Sequence, residues 1–253
     1  MFNPFSLDGK TVLVTGASSG IGRQCAIDCS KMGANVVIVA RNEDRLHETY
    51  SQMNGDGHLV VVQDLTCFDA IPEMVKRIVE KVGPLDGALH CAGISSSEPL
   101  KLYGVERLED FFRTNVFGAV MLTKEICKLN NVKKDGASVV FFASVMGVVG
   151  ESCKSAYSMT KGALISGMRS LAVEYAKKRV RVNCVTPGVI ETPINENQNY
   201  MKDPSLRSQF EQKHLLGFGR CSDVSHACIY LLSDASRWVT GQNLVVDGGY
   251  TVR

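Results

Sequence analysis

The chain has 253 residues, 45% of them apolar, with 28 basic against 26 acidic side chains. That length and composition fit one globular domain over residues 1–253 with a sizeable core. The near-balanced charge carries no nucleic-acid or membrane footprint, no apolar run could span a bilayer, and no charged segment leads an apolar one at the N-terminus as in a signal peptide. The nine cysteines are scattered, with no CxxC and no histidine at ligand spacing. Neither a disulfide framework nor a metal site is expected, and these thiols read as small buried hydrophobes in a reducing compartment, the cytoplasm.

Short apolar runs alternate with amphipathic stretches along the chain. Strands are predicted at Thr11–Thr15, Val36–Ala40, Leu59–Val62, Ala88–Cys91, Val139–Ala143, Arg181–Val185 and Leu244–Val246. Helical periodicity covers Ile21–Met32, Ala70–Val82, Glu106–Leu129 and Ala156–Lys178. Strand, helix, strand repeated in this way predicts an α/β fold. It is a Rossmann-like, doubly wound, parallel seven-stranded sheet with helices on both faces.

The first strand runs into Gly16-Ala17-Ser18-Ser19-Gly20-Ile21-Gly22, then a helix. Glycines at a strand-to-helix turn let the backbone approach a pyrophosphate, and the helix N-terminus favours its charge. A carboxylate ending the second strand would bond the ribose 2′-hydroxyl; Ala40 and Arg41 stand there instead, and an arginine fork suits a 2′-phosphate. The cofactor expected is therefore NADP(H), although Arg41 could merely cap a surface loop. Arg45 reads as a solvated helix charge. Asp64, followed by Leu65, could accept from an adenine amino group or cap a helix.

His90-Cys91-Ala92-Gly93 closes the fourth strand; Gly93 suggests a backbone close to the cofactor, and His90 reads as a packed histidine. Asn115 interrupts an otherwise apolar helix, as a kink residue bonding water or as a chance polar position. Ser144 ends an apolar run, and Tyr157 and Lys161 stand four apart, on one face if Ser155 to Lys178 is helical. A nearby ammonium is expected to lower the tyrosine pKa, so that the phenol can pass a proton to a carbonyl oxygen while Ser144 bonds the same oxygen. Pro187-Gly188 turns sharply after the sixth strand. The polar stretch beyond it, about 190–216, is expected to form a lid with a short helix near Ser205–His214. Ser222 or Asp223 is expected to cap a helix through Leu232, and Leu244–Tyr250 to form an edge element in subunit contact.

The ordered set Thr15–Gly22, Asp64-Leu65, Asn115, Ser144, Tyr157–Lys161 and Pro187-Gly188, with thirteen residues from Ser to Tyr, resembles the short-chain dehydrogenase/reductase family over essentially the whole chain. The resemblance implies Tyr157 as general acid/base and Ser144 as polariser of the substrate oxygen. It makes Lys161 the residue that tunes the tyrosine and binds the nicotinamide ribose, and Asn115 the holder of a relay water. It implies a cofactor held by Gly16, Ser18, Ser19, Gly20, Ile21, Gly22, Arg41, Asp64, Leu65, Ala92, Gly93, Pro187, Gly188, Ile190 and Thr192, together with Tyr157 and Lys161. A homotetramer or homodimer is implied as well.

Two departures stand out. His90-Cys91 replace the family's common asparagine pair, and Val173 and Asp135 stand where acyl-carrier-protein reductases usually carry docking cations. The expected activity is NADPH-dependent reduction of a ketone on a small-molecule substrate. A 3-oxoacyl compound, a sugar or polyol, and a steroid-like ketone all remain open, beside NAD(H)-linked oxidation and a non-catalytic NADP-binding regulator. Tyr200, Met201, Phe210, Leu215 and Leu216 in the lid favour an apolar substrate portion or pack the lid helix.

Overall fold

The structure is a computed structural model that describes residues 2–194 and 203–252. Seven parallel strands form one sheet in the order β3-β2-β1-β4-β5-β6-β7. They are β1 (Thr11–Thr15), β2 (Asn35–Ala40), β3 (Leu59–Val62), β4 (Gly87–His90), β5 (Ala137–Phe142), β6 (Val180–Pro187) and β7 (Asn243–Val246). The expected architecture is present, with strand ends moved by one or two residues.

The inner strands are apolar on both faces because both faces are covered, while edge strands β3 and β7 are only partly buried. Val12, Val14, Val36, Ile38 and Val140 point to one side, where they pack with Cys25 and Cys29 of α1 (Gly20–Lys31), Leu46 of α2 (Glu43–Tyr50) and Val224 and Cys228 of the last helix. Leu13, Val37, Val39 and Ala88 point to the other, onto Met74, Val75 and Ile78 of α3 (Ile71–Val82). Farther along that face Val139, Phe141 and Val182 meet Leu164, Ile165 and Met168 of α6 (Ser155–Tyr175). The period-2 alternation of the strands supplies both sets at once.

The predicted helix Glu106–Leu129 is in fact broken. It runs as α4 (Val105–Phe112), a π-helical turn over Arg113–Phe117, and α5 (Gly118–Ile126). The 3.6-residue pattern crosses the break, which is why periodicity alone did not place it. Helix α2 escaped periodicity because Leu46 and Thr49 are its only buried residues. Past the sheet, α7 (Pro204–Gln212) starts on Asp203, whose carboxylate accepts from the backbone N–H of Ser205 at 2.8 Å. The final helix, α8 (Cys221–Leu232), is capped from inside its first turn. There Asp223 accepts the Arg220 N–H at 2.7 Å, so neither Ser222 nor Asp223 is itself the N-cap residue.

Strand order reverses between β1 and β4, so the chain leaves these neighbours in opposite directions and opens a crevice at their C-terminal ends. The glycine turn and the segment after β4 meet there. Among the described residues no helix is long and apolar enough to cross a membrane, and no group of three His, Cys, Asp or Glu side chains could hold a metal. All nine cysteines are free.

Candidate active site

The glycine turn is built by contact as well as by backbone freedom. Gly16 has φ +64°, and a Cβ there would lie 2.8 Å from the Ala92 nitrogen. A Cβ on Gly22 would collide with the Gly16 carbonyl, so the first turn of α1 can close only on a glycine. Arg23 braces the loop from behind: it donates to the Ser18 carbonyl at 2.7 Å and to Thr49 Oγ1 at 3.1 Å, while Thr49 donates to the Ala17 carbonyl at 2.8 Å. The N-terminus of α1, with Ser18, Ser19 and Gly20, faces a crevice of about 650 Å³, within the range of roughly 300–1,000 Å³ usual for ligand and cofactor pockets.

Gly16, Ile21, Gly22, Arg41, Asp64, Leu65, Ala92, Gly93 and Thr192 line the same crevice. Arg41 Nη1 lies 3.7 Å from Asp64 Oδ2. Asp64 Oδ1 accepts from the N–H and the hydroxyl of Thr66, each at 2.8 Å, so this carboxylate folds its own turn. Partial burial raises the Asp64 pKa, but the bonds from Thr66 and the Arg41 charge outweigh it and hold the group below its ordinary value. Asn42 and Arg45 also border the crevice, and Arg45 is an exposed charge on α2, as expected.

A second cavity adjoins the first and shares Ile21, Cys91, Gly93, Ile94, Phe142 and Thr192 with it. Ser144, Tyr157, Lys161, Pro187, Gly188 and Ile190 form its floor. The Ser144 hydroxyl accepts the Met146 N–H at 3.2 Å and lies where it favours the ionised form of the Tyr157 phenol. Lys161 is 5% exposed; its ammonium donates to the Phe142 carbonyl at 2.7 Å and lies 5.5 Å from the centroid of the Tyr157 ring.

One expectation is corrected. Burial pushes the Tyr157 phenol above its ordinary pKa, and Ser144 only partly opposes it. Lys161 is itself driven down to about 8 by burial. Loss of hydration is the largest influence on the phenol, which is therefore held as a neutral proton donor.

Asn115 sits in the π-helical turn, 1% exposed, and does not line either cavity. Its Oδ1 accepts from the Ile94 N–H at 2.7 Å, and its Nδ2 donates to the Ile94 carbonyl at 3.0 Å and to Thr160 Oγ1 at 3.1 Å. A Cβ on Gly93 would come within 3.1 Å of Asn115 Oδ1 and 3.6 Å of Lys161 Nζ. The amide thus clamps the segment after β4 to α6 beside Lys161.

His90 is a packed histidine. It stacks on Phe141 at 4.9 Å, meets Thr123 Oγ1 at 2.8 Å through Nε2, and burial lowers its pKa to about 3. Since the Thr123 proton goes to the Ala119 carbonyl, Nε2 carries the histidine proton. His90 therefore ties β4 to α5 through Nε2.

Part of the predicted lid, Tyr200 and Met201 included, lies outside the described residues. Within them, Phe210 of α7 reaches the cavity wall, while Leu215 and Leu216 are exposed. Sequence reasoning missed Ser95, Met146, Glu151, Lys154 and Tyr250, which form the cavity's outer wall. They come from four separate segments with no motif to link them, although the spacing of Lys154 from Tyr157 was a local signal.

The family profile described as enoyl-(acyl carrier protein) reductase matches residues 16–251. A glucose 1-dehydrogenase of Gluconobacter oxydans is 32% identical, over 96% of this chain and 92% of that protein. A 3-oxoacyl-[acyl-carrier-protein] reductase of Buchnera aphidicola is 31% identical, over 96% and 98%. The crystal structure of a short-chain type dehydrogenase/reductase from Mycobacterium marinum superposes with a TM-score of 0.88 at 30% identity, covering 99% of this chain and 98% of that one.

Proposed function

The chain belongs to the short-chain dehydrogenase/reductase family of oxidoreductases, and from that premise we propose that it is an NADPH-dependent ketoreductase. The observation that carries the reading is the meeting of Ser144, Tyr157 and Lys161 in a cavity continuous with the glycine-turn crevice. The crevice fits a dinucleotide: Gly16 and Gly22 clear the backbone, Ser18 to Ile21 and the α1 N-terminus take the pyrophosphate, and Asp64 and Leu65 flank the adenine. Ala92, Gly93, Pro187, Gly188, Ile190 and Thr192 wall the nicotinamide end. Arg41, with Arg45 beside it, supports NADP(H) over NAD(H), because two cations suit a 2′-phosphate.

Bound nicotinamide supplies the hydride. The residues of this chain then need only manage one oxygen and one proton. Ser144 donates a hydrogen bond to the substrate carbonyl oxygen, and the Tyr157 phenol gives that oxygen its proton as charge develops. The phenolate left behind is stabilised by the Lys161 ammonium, which Asn115 positions and through which a held water refills the proton. In reverse, Tyr157 takes the proton of a secondary alcohol.

We read residues 1–253 as one domain with the segment at about 190–216 as its lid, working as a homotetramer or homodimer in the cytoplasm. Exposed Phe117, Met159 and Val173 near the α5 and α6 surfaces, and Val245 on edge strand β7, support self-association. A sugar or polyol dehydrogenase on the same residues is the second reading, favoured by the first-mentioned relative.

Quenching of NADPH and NADH fluorescence, followed by a carbonyl panel, tests the proposal. NADPH binding with turnover of a ketone is expected. Binding with no turnover on any ketone or alcohol would mean a regulator.

A further inference from the structure

Helix α2 brings Arg45, and its capping residue Asn42, to the wall of the crevice, yet little apolar contact sets its place: only Leu46 and Thr49 of the helix are buried. Polar ties add to that hold, and they converge on Arg23 of the neighbouring helix α1. Its Nη2 donates to Glu48 Oε2 at 2.9 Å and lies 3.4 Å from the Arg45 carbonyl, while its Nε donates to Thr49 Oγ1 at 3.1 Å. The same Nη2 donates to the Ser18 carbonyl at 2.7 Å, and the Thr49 hydroxyl donates to the Ala17 carbonyl at 2.8 Å. One guanidinium thus joins the body of α2 to two successive peptide units of the glycine turn.

Arg23, Glu48 and Thr49 are not among the residues that line the crevice, so the fork acts on a ligand only through what it holds. On one side it holds the turn. A peptide unit is rigid and trans, so fixing the Ala17 and Ser18 carbonyls also fixes the direction in which the Ser18 and Ser19 N–H groups are offered. On the other side it holds the helix that carries Arg45. Both sets of groups border the same crevice, and a planar fork registers one against the other as a single ammonium could not.

We propose that Arg23 is a positioning residue that couples the two phosphate-binding ends of the crevice. By registering α2 against the glycine turn, it makes the grip on a 2′-phosphate depend on the contact that also sets the turn for the pyrophosphate. The proposal rests on the NADP(H) reading and deepens it. NADH needs only the turn, whereas NADPH needs the turn and α2 in register, so disturbing the register costs NADPH more.

The test reads Kd for NADPH and NADH by fluorescence quenching on the full chain. Loss of a cation would by itself weaken the more highly charged NADPH, so the variant used is the double substitution Arg23→Met with Glu48→Gln, which leaves the net charge unchanged. NADPH is expected to weaken about ten-fold or more and NADH by no more than about three-fold. Arg45→Ala should weaken NADPH about five-fold in the wild type and less than about two-fold in the double variant, the non-additivity of coupled groups. Arg23→Lys keeps the charge and loses the fork; it should narrow the preference for NADPH in the same sense, and it carries the test should the double variant not fold. Equal losses for both cofactors, or an Arg45→Ala effect of the same size in both backgrounds, would overturn the coupling and leave Arg23 as a brace of the fold, with the wild-type preference for NADPH intact. A wild type that binds NADH as tightly as NADPH would instead sink the NADP(H) reading, and the coupling with it.

Discussion

The Lys161 ammonium donates to the main-chain carbonyl of Phe142 at 2.7 Å, inside a site that leaves the lysine 5% exposed. One cation is thereby held at the joint between strand β5 and helix α6, 5.5 Å from the centroid of the Tyr157 ring. A buried charge at this joint costs stability to a degree that depends on pH.

That cost has a sign that can be measured. Burial lowers the Lys161 pKa from 10.5 to about 8. Below about pH 8 both folded and unfolded states keep the proton, and the folded state bears the full burial penalty. Between about pH 8 and 10.5 the unfolded state binds more protons, so this site's contribution to stability rises with pH. Urea midpoints of the wild type should therefore climb relative to those of Lys161→Met across that window. Parallel pH curves for the two proteins would show that Lys161 is not titrating there.

Tyr157→Phe removes the proton donor and keeps the ring against Lys154 and Lys161. Turnover of any ketone substrate should fall by about 10²- to 10⁴-fold, the usual weight of a positioned general acid. NADPH affinity, read by fluorescence quenching, should change by no more than a few-fold. An unchanged kcat would remove Tyr157 from the proposed chemistry.

Much of this arrangement is legible in the sequence, for identifiable reasons. The strands declare themselves by apolar runs buried on two faces, the turn at Gly16–Gly22 by glycines that nothing else can replace, and the Tyr157–Lys161 pair by the pitch of one helix. What escaped depends on packing between distant segments. The break at Arg113–Phe117 adds a π turn without disturbing the apolar pattern, and the wall formed by Ser95, Glu151, Lys154 and Tyr250 exists only after folding. The direction of the Tyr157 pKa was misread because the neighbouring charge was weighed without the burial, and burial is a property of the whole core.

Arg41 and Asp64 form an exposed pair at 3.7 Å, too open to contribute much to stability. The value of Arg41 should lie in binding. Arg41→Ala is expected to weaken NADPH by about ten- to a hundred-fold, equivalent to roughly 1.5–3 kcal/mol for a charged hydrogen-bonded contact, and NADH far less. Equal losses for both cofactors would remove Arg41 from phosphate recognition.

Asn115→Ala tests the clamp. The substitution frees the Ile94 N–H and carbonyl and leaves Thr160 without its amide neighbour, all at a buried position. Unsatisfied groups of this kind cost about 1–3 kcal/mol, so the urea midpoint should fall. If the amide did nothing more than hold the fold, activity would follow the folded fraction, and stabilising osmolyte would restore it. Because the same amide sets Gly93 beside Lys161, kcat is expected to stay at least about ten-fold down in protein that is fully folded, with NADPH still bound. Full activity in the folded variant would reduce Asn115 to a structural clasp and remove it from the proton path.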